Sequence, residues 1–281
     1  MLISTLVLIY LGVVGAAISD RQTGTVKQAE KTALDSGRSL EFADALNSTN
    51  CGDLLVSKGG FITYKQSKND ERCIWTIRTH KWETKFLMHE STFVSESDHV
   101  LIYSVDENGD LQVKAKIDKE TGREIVGVLG PLLFLSFTST KGQEFLLEYF
   151  AFGYNEATGY TYGHAHLDKP SGNLVWPEKP VDYYQNTFST FTVSPNLVDT
   201  RLQLTVDTVD LVSLSRGCQN NFLTVHQLFE SGFVLRLRYC EPDLLSSAEI
   251  SSSSPLLIIY RAAVGPTNVG ISFSWDESKK N

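Results

Sequence analysis

Four cysteines, two histidines and two arginines are the residues whose types and spacing could do chemistry. Cys51 and Cys73 stand 22 positions apart, and so do Cys218 and Cys240. Four cysteines allow three pairings, and two local pairs, one in each half, favour Cys51–Cys73 and Cys218–Cys240. In an oxidising compartment each bridge would close a loop of that size and add about 3 kcal/mol by chain entropy. Structural zinc uses close pairs such as C-x2-C, which are absent here. Four evenly paired cysteines also leave no nucleophilic thiol. His164 and His166 form an H-x-H pair, which on a strand can share a metal. The favoured reading is two solvated loop histidines. Arg236 and Arg238 alternate with Leu235, Leu237 and Tyr239, which puts both on one face of a strand. A solvated outer face is the expectation there, and a small anion-binding strip the alternative. G-x-S-x-G, H-E-x-x-H, P-loop and G-x-G-x-x-G sequences are all missing. Catalysis is therefore not expected.

The elements that must position these residues read as β. Phe61–Tyr64 and Ile74–Ile77 are β-rich runs. His99–Val105 and Leu111–Ile117 flank Asp106-Glu107-Asn108-Gly109-Asp110. Asn-Gly between two strand-like runs signals a hairpin, because both residues tolerate positive φ. A calcium loop starting at Asp106 would need Gly at its sixth position and Glu at its twelfth. Leu111 and Ile117 stand there, so the turn is preferred. Leu132–Phe137 and Phe145–Phe152 follow as further strands. A second β set runs from Phe188 through Trp275. Many short strands without a long amphipathic helix imply an all-β fold of two antiparallel sandwiches.

The first residues read as a targeting segment. Leu2–Val14 is apolar, small residues Gly15, Ala16, Ala17 and Ser19 follow, and the first charge is Asp20. This is the layout of a cleaved secretory signal over residues 1–19, cut between Ala16 and Ser19, and the run is too short for a membrane span. Residues 20–50 read as a flexible leader. They hold the sequon Asn47-Ser48-Thr49, expected to be exposed and open to glycosylation. Residues 51–152 form a first domain and residues 153–173 a linker. Residues 174–276 form a second domain, and residues 277–281 a polar tail. The 281-residue chain carries a net charge of −8, and no region of it is net basic. A nucleic-acid surface, which needs Lys and Arg against phosphates, is not expected.

Cys51-Gly52-Asp53-Leu54, Gly60-Phe61-Ile62 and Cys73-Ile74-Trp75-Thr76-Ile77 resemble the opening of a CUB domain. Asp98-His99-Val100-Leu101-Ile102-Tyr103, Leu135–Ser139 and Phe145–Tyr149 resemble its later segments, so the likeness spans residues 51–152. In the second half, Cys218–Val225, Tyr239-Cys240 and Gly270–Trp275 resemble the same family more faintly. A full module has two disulfides. By this resemblance the first half keeps the first and the second half the second.

The resemblance implies jelly-roll sandwiches and an extracellular recognition protein that binds protein or glycan partners. The alternatives are a matrix component, or a hydrolase or ligand carrier on a β scaffold. It also implies where calcium would sit: Glu90, Asp98 and a third position here occupied by Thr140. With one carboxylate missing, two ordinary surface carboxylates are the favoured reading of Glu90 and Asp98, and a calcium site there would be weak, at ~10⁻⁴–10⁻³ M. Val212, Asn221 and Ala263 occupy the corresponding positions of the second half, which is not expected to bind calcium. No other cofactor is implied.

Overall fold

A computed structural model of the chain describes residues 47–66, 72–78, 83–121, 125–130, 132–139, 143–152, 160–178, 186–194, 200–211, 218–240, 247–263 and 270–279. The signal segment, residues 20–46 and Thr140 lie outside the described residues. The described residues fall in one compact unit that runs from Ser39 to Asn281, and their regular structure is all β.

The first sandwich is built from β1 (Asn47–Ser48), β2 (Leu54–Leu55), β3 (Gly59–Lys65), β4 (Arg72–Arg78), β5 (Glu83–Ser91), β6 (His99–Val105), β7 (Leu111–Asp118), β8 (Ile125–Leu129), β9 (Leu132–Thr138) and β10 (Glu144–Phe152). The second comprises β11 (Tyr160–Leu167), β12 (Ser171–Trp176), β13 (Asn186–Val193), β14 (Thr200–Val209), β15 (Phe222–Phe229), β16 (Gly232–Tyr239), β17 (Ala248–Ser252), β18 (Leu256–Ala262) and β19 (Ile271–Lys279). Strand order is β1-β3-β10-β5-β8 over β2-β4-β9-β6-β7 in the first sandwich. In the second it is β11-β13-β18-β15-β16 over β12-β19-β14-β17.

Side-chain pattern explains the layering. A strand covered on one face alternates apolar and polar residues, whereas one covered on both faces is apolar almost throughout. Along β10, Phe145, Leu147 and Tyr149 are buried while the residues between them reach solvent. Every residue of β9 (LLFLSFT) is buried, and β18 (LLIIYRA) is buried except at Arg261. The sheets that hold β9 and β18 are therefore inner layers. Each has one face in its own sandwich core and the other in a third cluster that joins the sandwiches. Trp75, Phe86, Leu135 and Phe137 belong to the first core, and Leu204, Val225, Ile258 and Phe273 to the second. Ile74, Leu101, Tyr103 and Phe134 of the first sandwich meet Phe188, Phe222, Leu257 and Ile259 of the second in the joining cluster. The chain is a four-layered stack of sheets.

Disulfides join Cys51 to Cys73 and Cys218 to Cys240, with Cα separations of 5.2 and 4.3 Å. The first lies within the usual range for a bridge and the second at its lower edge. Trp75 is fully buried, and its indole N–H donates to the Asn50 carbonyl at 2.8 Å.

Several stretches read as irregular are strands. Asn47–Ser48, at the end of the expected leader, run parallel to Phe61–Ile62 as an edge strand. The expected linker contains all of β11, which pairs in parallel with β13, and the start of β12, which pairs with β19. The expected tail is part of β19 as far as Lys279, paired with β14. In each case the partner is distant in sequence, so local composition does not reveal it. The Asn-Gly turn is as expected. Gly109 has φ +85°, and the Asp106 carboxylate accepts the N–H groups of Asn108 and Asp110, both at 2.9 Å. That carboxylate caps its own turn.

Candidate functional site

The seam between the sandwiches takes up three of the residues first suspected of chemistry, His164, His166 and Arg238. His164 is not a solvated loop residue. It sits partly buried on β11, in register with Thr190 on β13. Its Nε2 lies 3.0 Å from the Gly52 carbonyl of the first sandwich, and its Nδ1 3.0 Å from Thr190 Oγ1. A carbonyl only accepts, so Nε2 carries the proton and donates. Burial lowers the His164 pKa to about 4, opposed by the hydrogen bond to Gly52 and aided by the positive fields of His166 and Arg78. Gly52 has φ +91°, and a Cβ there would come within 2.1 Å of the His166 ring. Only glycine fits against that ring. The H-x-H pair is thus part of the seam. Among the described residues no three His, Cys, Asp or Glu side chains group as metal ligands would.

At the other end of the seam the 106–110 turn plugs into the second sandwich. The Gly109 carbonyl lies 3.1 Å from Nε2 of His226, which is 2 % exposed. Burial again lowers this histidine's pKa to about 4; the Gly109 carbonyl and Asp110 oppose the shift and Arg238 adds to it. Asn220 N–H donates to the Glu107 carbonyl at 2.9 Å, and Gln219 Nε2 to the Glu107 carboxylate at 3.1 Å. Asp110 pairs with Arg238, and Tyr103 meets Phe233 edge to face at 5.0 Å. The arginine pair is therefore not one solvated face. Arg238 reaches across the seam, while Arg236 donates to Gln227 within its own sheet.

The expected calcium residues are placed differently from each other. Asp98 is fully buried, and Glu90 is exposed near the end of β5. One Asp98 oxygen accepts the N–H groups of Val94 and Ser95 at 3.0 and 2.9 Å, and the other accepts the Ser139 hydroxyl at 2.7 Å. Three donors already occupy this carboxylate and hold the turn before β6. The Asn47 side chain lies outside the described residues; next to it, Ser48 is buried and donates to Asp53 at 2.6 Å.

A surface that the motifs did not indicate is the outer face of the first sandwich. The sheet β1-β3-β10-β5-β8 turns one side to its core and the other to solvent. Register aligns Leu129, Glu83 and Phe152 in one row, Gly127, Lys85 and Phe150 in the next, and Ile125, Leu87 and Glu148 in a third. Ile125 and Leu129 are 65 % and 69 % exposed, and Phe150 and Phe152 are 42 % and 46 %. Lys85 lies over the Phe152 ring at 5.1 Å. β8 is the edge of this sheet and contains neither a charged residue nor proline. Edge strands are usually protected by one or the other. The uncharged run Ile125-Val126-Gly127-Val128-Leu129 was the sequence signal for this surface, but by itself it resembles any buried strand.

Among the described residues no helix is long and apolar enough to cross a membrane. No protein-family model and no curated protein matches the chain. Three solved structures similar to it are the CUB1-EGF-CUB2 domains of rat MASP-1, the CUB1-EGF-CUB2 domain of human MASP-1/3 and the full extracellular region of zebrafish Gpr126/Adgrg6. They share 14 %, 15 % and 12 % identity with it at TM-scores of 0.31, 0.33 and 0.28. The matches cover 79 %, 79 % and 80 % of this chain and 99 %, 100 % and 36 % of theirs.

Proposed function

We propose that the protein is a secreted, non-catalytic recognition protein whose first sandwich binds a protein partner through its outer sheet. One observation carries this reading: a cluster of exposed apolar side chains stands beside an unprotected edge strand. Exposed apolar groups that are contiguous and bordered by charge mark interaction surfaces, unlike scattered single residues. Here Ile125, Leu87, Phe150 and Phe152 run diagonally across three strands, with Glu83 and Lys85 between Leu129 and the two phenylalanines and Glu148 beside Leu87. The aliphatic share of the cluster suits a protein rather than a glycan. The two disulfides fit an oxidising compartment, and the motifs resembling a CUB domain fit extracellular recognition. With the inner faces taken up by the seam, the outer face is left for a partner.

The test is capture from the extracellular fluid in which the protein occurs, with the wild-type chain and Ile125→Lys/Leu129→Lys compared side by side. Both positions are exposed, so the variant should fold normally. A specific protein retained by the wild type and weakened at least about tenfold by the double substitution supports the proposal. Equal retention by both chains contradicts it. Self-association through the same residues, with no other partner, would instead mark a matrix component.

A further inference from the structure

One edge of the seam holds a positive charge that no carboxylate among the described residues neutralises. Arg78 ends β4 on the face turned toward the second sandwich, and its guanidinium lies over the Tyr162 ring at 4.1 Å. Its Nε is buried without a hydrogen-bond partner, and among the described residues no carboxylate pairs with it. Two residues earlier on the same face, Thr76 is 1 % exposed, and its hydroxyl has no partner either. Both line a narrow cleft between the sandwiches, closed on the far side by Tyr162, His164, Phe188 and Thr190. A second guanidinium, that of Arg261, lies over Phe188 at 5.3 Å.

A buried hydroxyl and a half-buried cation both lose free energy unless something replaces their water contacts. The ring of Tyr162 offsets part of the charge but accepts none of the Nε hydrogen bond. Among the described residues that line it the cleft has no acidic side chain, so it does not suit a metal cation. Its free space is about that of one water molecule, too small for a phosphate or a carboxylate-bearing side chain. A monatomic anion is only slightly larger than a water molecule, is negative, and accepts from several donors at once.

We propose that this cleft binds one halide-sized anion, held by the Arg78 guanidinium and the Thr76 hydroxyl at the seam between the two sandwiches. The anion neutralises the Arg78 charge, one of those that face His164, and ties the two inner sheets together. This reading is independent of the outer-face proposal.

Thermal unfolding of the full chain tests it, with sodium chloride compared with sodium gluconate at equal ionic strength. A melting temperature higher in chloride is expected, by about 3–6 °C at ten times the dissociation constant. The difference should vanish in Arg78→Gln and in Thr76→Val. The valine variant keeps the shape of the side chain, so it decides the matter if Arg78→Gln fails to fold. Equal melting of the wild type in both salts overturns the proposal. So does a chloride effect that survives in either variant, which would be a general salt effect.

Discussion

Replacing Gly109 with valine will destabilise the protein by about 2–5 kcal/mol, from backbone strain and overpacking together. Gly109 has φ +85°, and its Cβ would stand 2.7 Å from the Phe222 ring and 2.8 Å from Thr224 Cγ2. Both residues are fully buried in the second sandwich and have no room to withdraw. The turn must then lift out of its socket. That breaks the His226–Gly109, Asn220–Glu107 and Arg238–Asp110 contacts together. Urea denaturation would measure the loss, with Lys114→Ala on the exposed face of β7 as a control that should stay within about 0.5 kcal/mol of wild type. A Gly109 variant as stable as that control would mean that the turn does not dock.

Acidification from pH 7 to pH 5 will remove roughly 4 kcal/mol, about 2 kcal/mol from each of His164 and His226. Both titrate near 4 in the folded chain and near 6.5 when unfolded. Between those values the unfolded chain binds more protons. Stability is therefore full above the unfolded pKa and falls as pH drops toward the folded one. The charges that face these rings are Arg78 and His166 at one site, and Arg238 and Asp110 at the other. Protonation adds a charge to a seam that holds each ring neutral, so the seam weakens before ordinary carboxylates titrate. Denaturation at the two pH values, repeated on His164→Gln/His226→Gln, gives the test. A wild-type decline matched in full by the double variant would rule out these histidines as its source.

Strand positions were largely legible in the sequence, while the joining of the sandwiches was not. His99–Val105, the Asn-Gly turn and the strand after it are local features that alternation and turn chemistry identify. The parallel pairing of β11 with β13 is non-local, and the Gly-, Tyr- and Thr-rich composition around His164 concealed it. Leu132–Phe137 and Leu256–Tyr260 read as strands from their composition. Their unbroken apolar character also meant burial on both faces, and hence a third cluster beyond two separate cores. Which strand faces which cannot be derived from either run alone. The roles of Arg238 and His226 depend on that pairing, and so remained hidden. The exposed edge at Ile125–Leu129 was missed for the opposite reason: nothing in five apolar residues distinguishes an edge strand from a central one.

Native-state hydrogen exchange tests the central claim most directly, namely that the four sheets form one cooperative stack. Amides of β9 and β18 should exchange only through global unfolding, with the same opening free energy and the same denaturant dependence in both sandwiches. Gly109→Val should lower both together. If the amides of one sandwich exchange at a markedly lower free energy while the other stays protected, the sandwiches open independently, and the account of a locked seam is wrong.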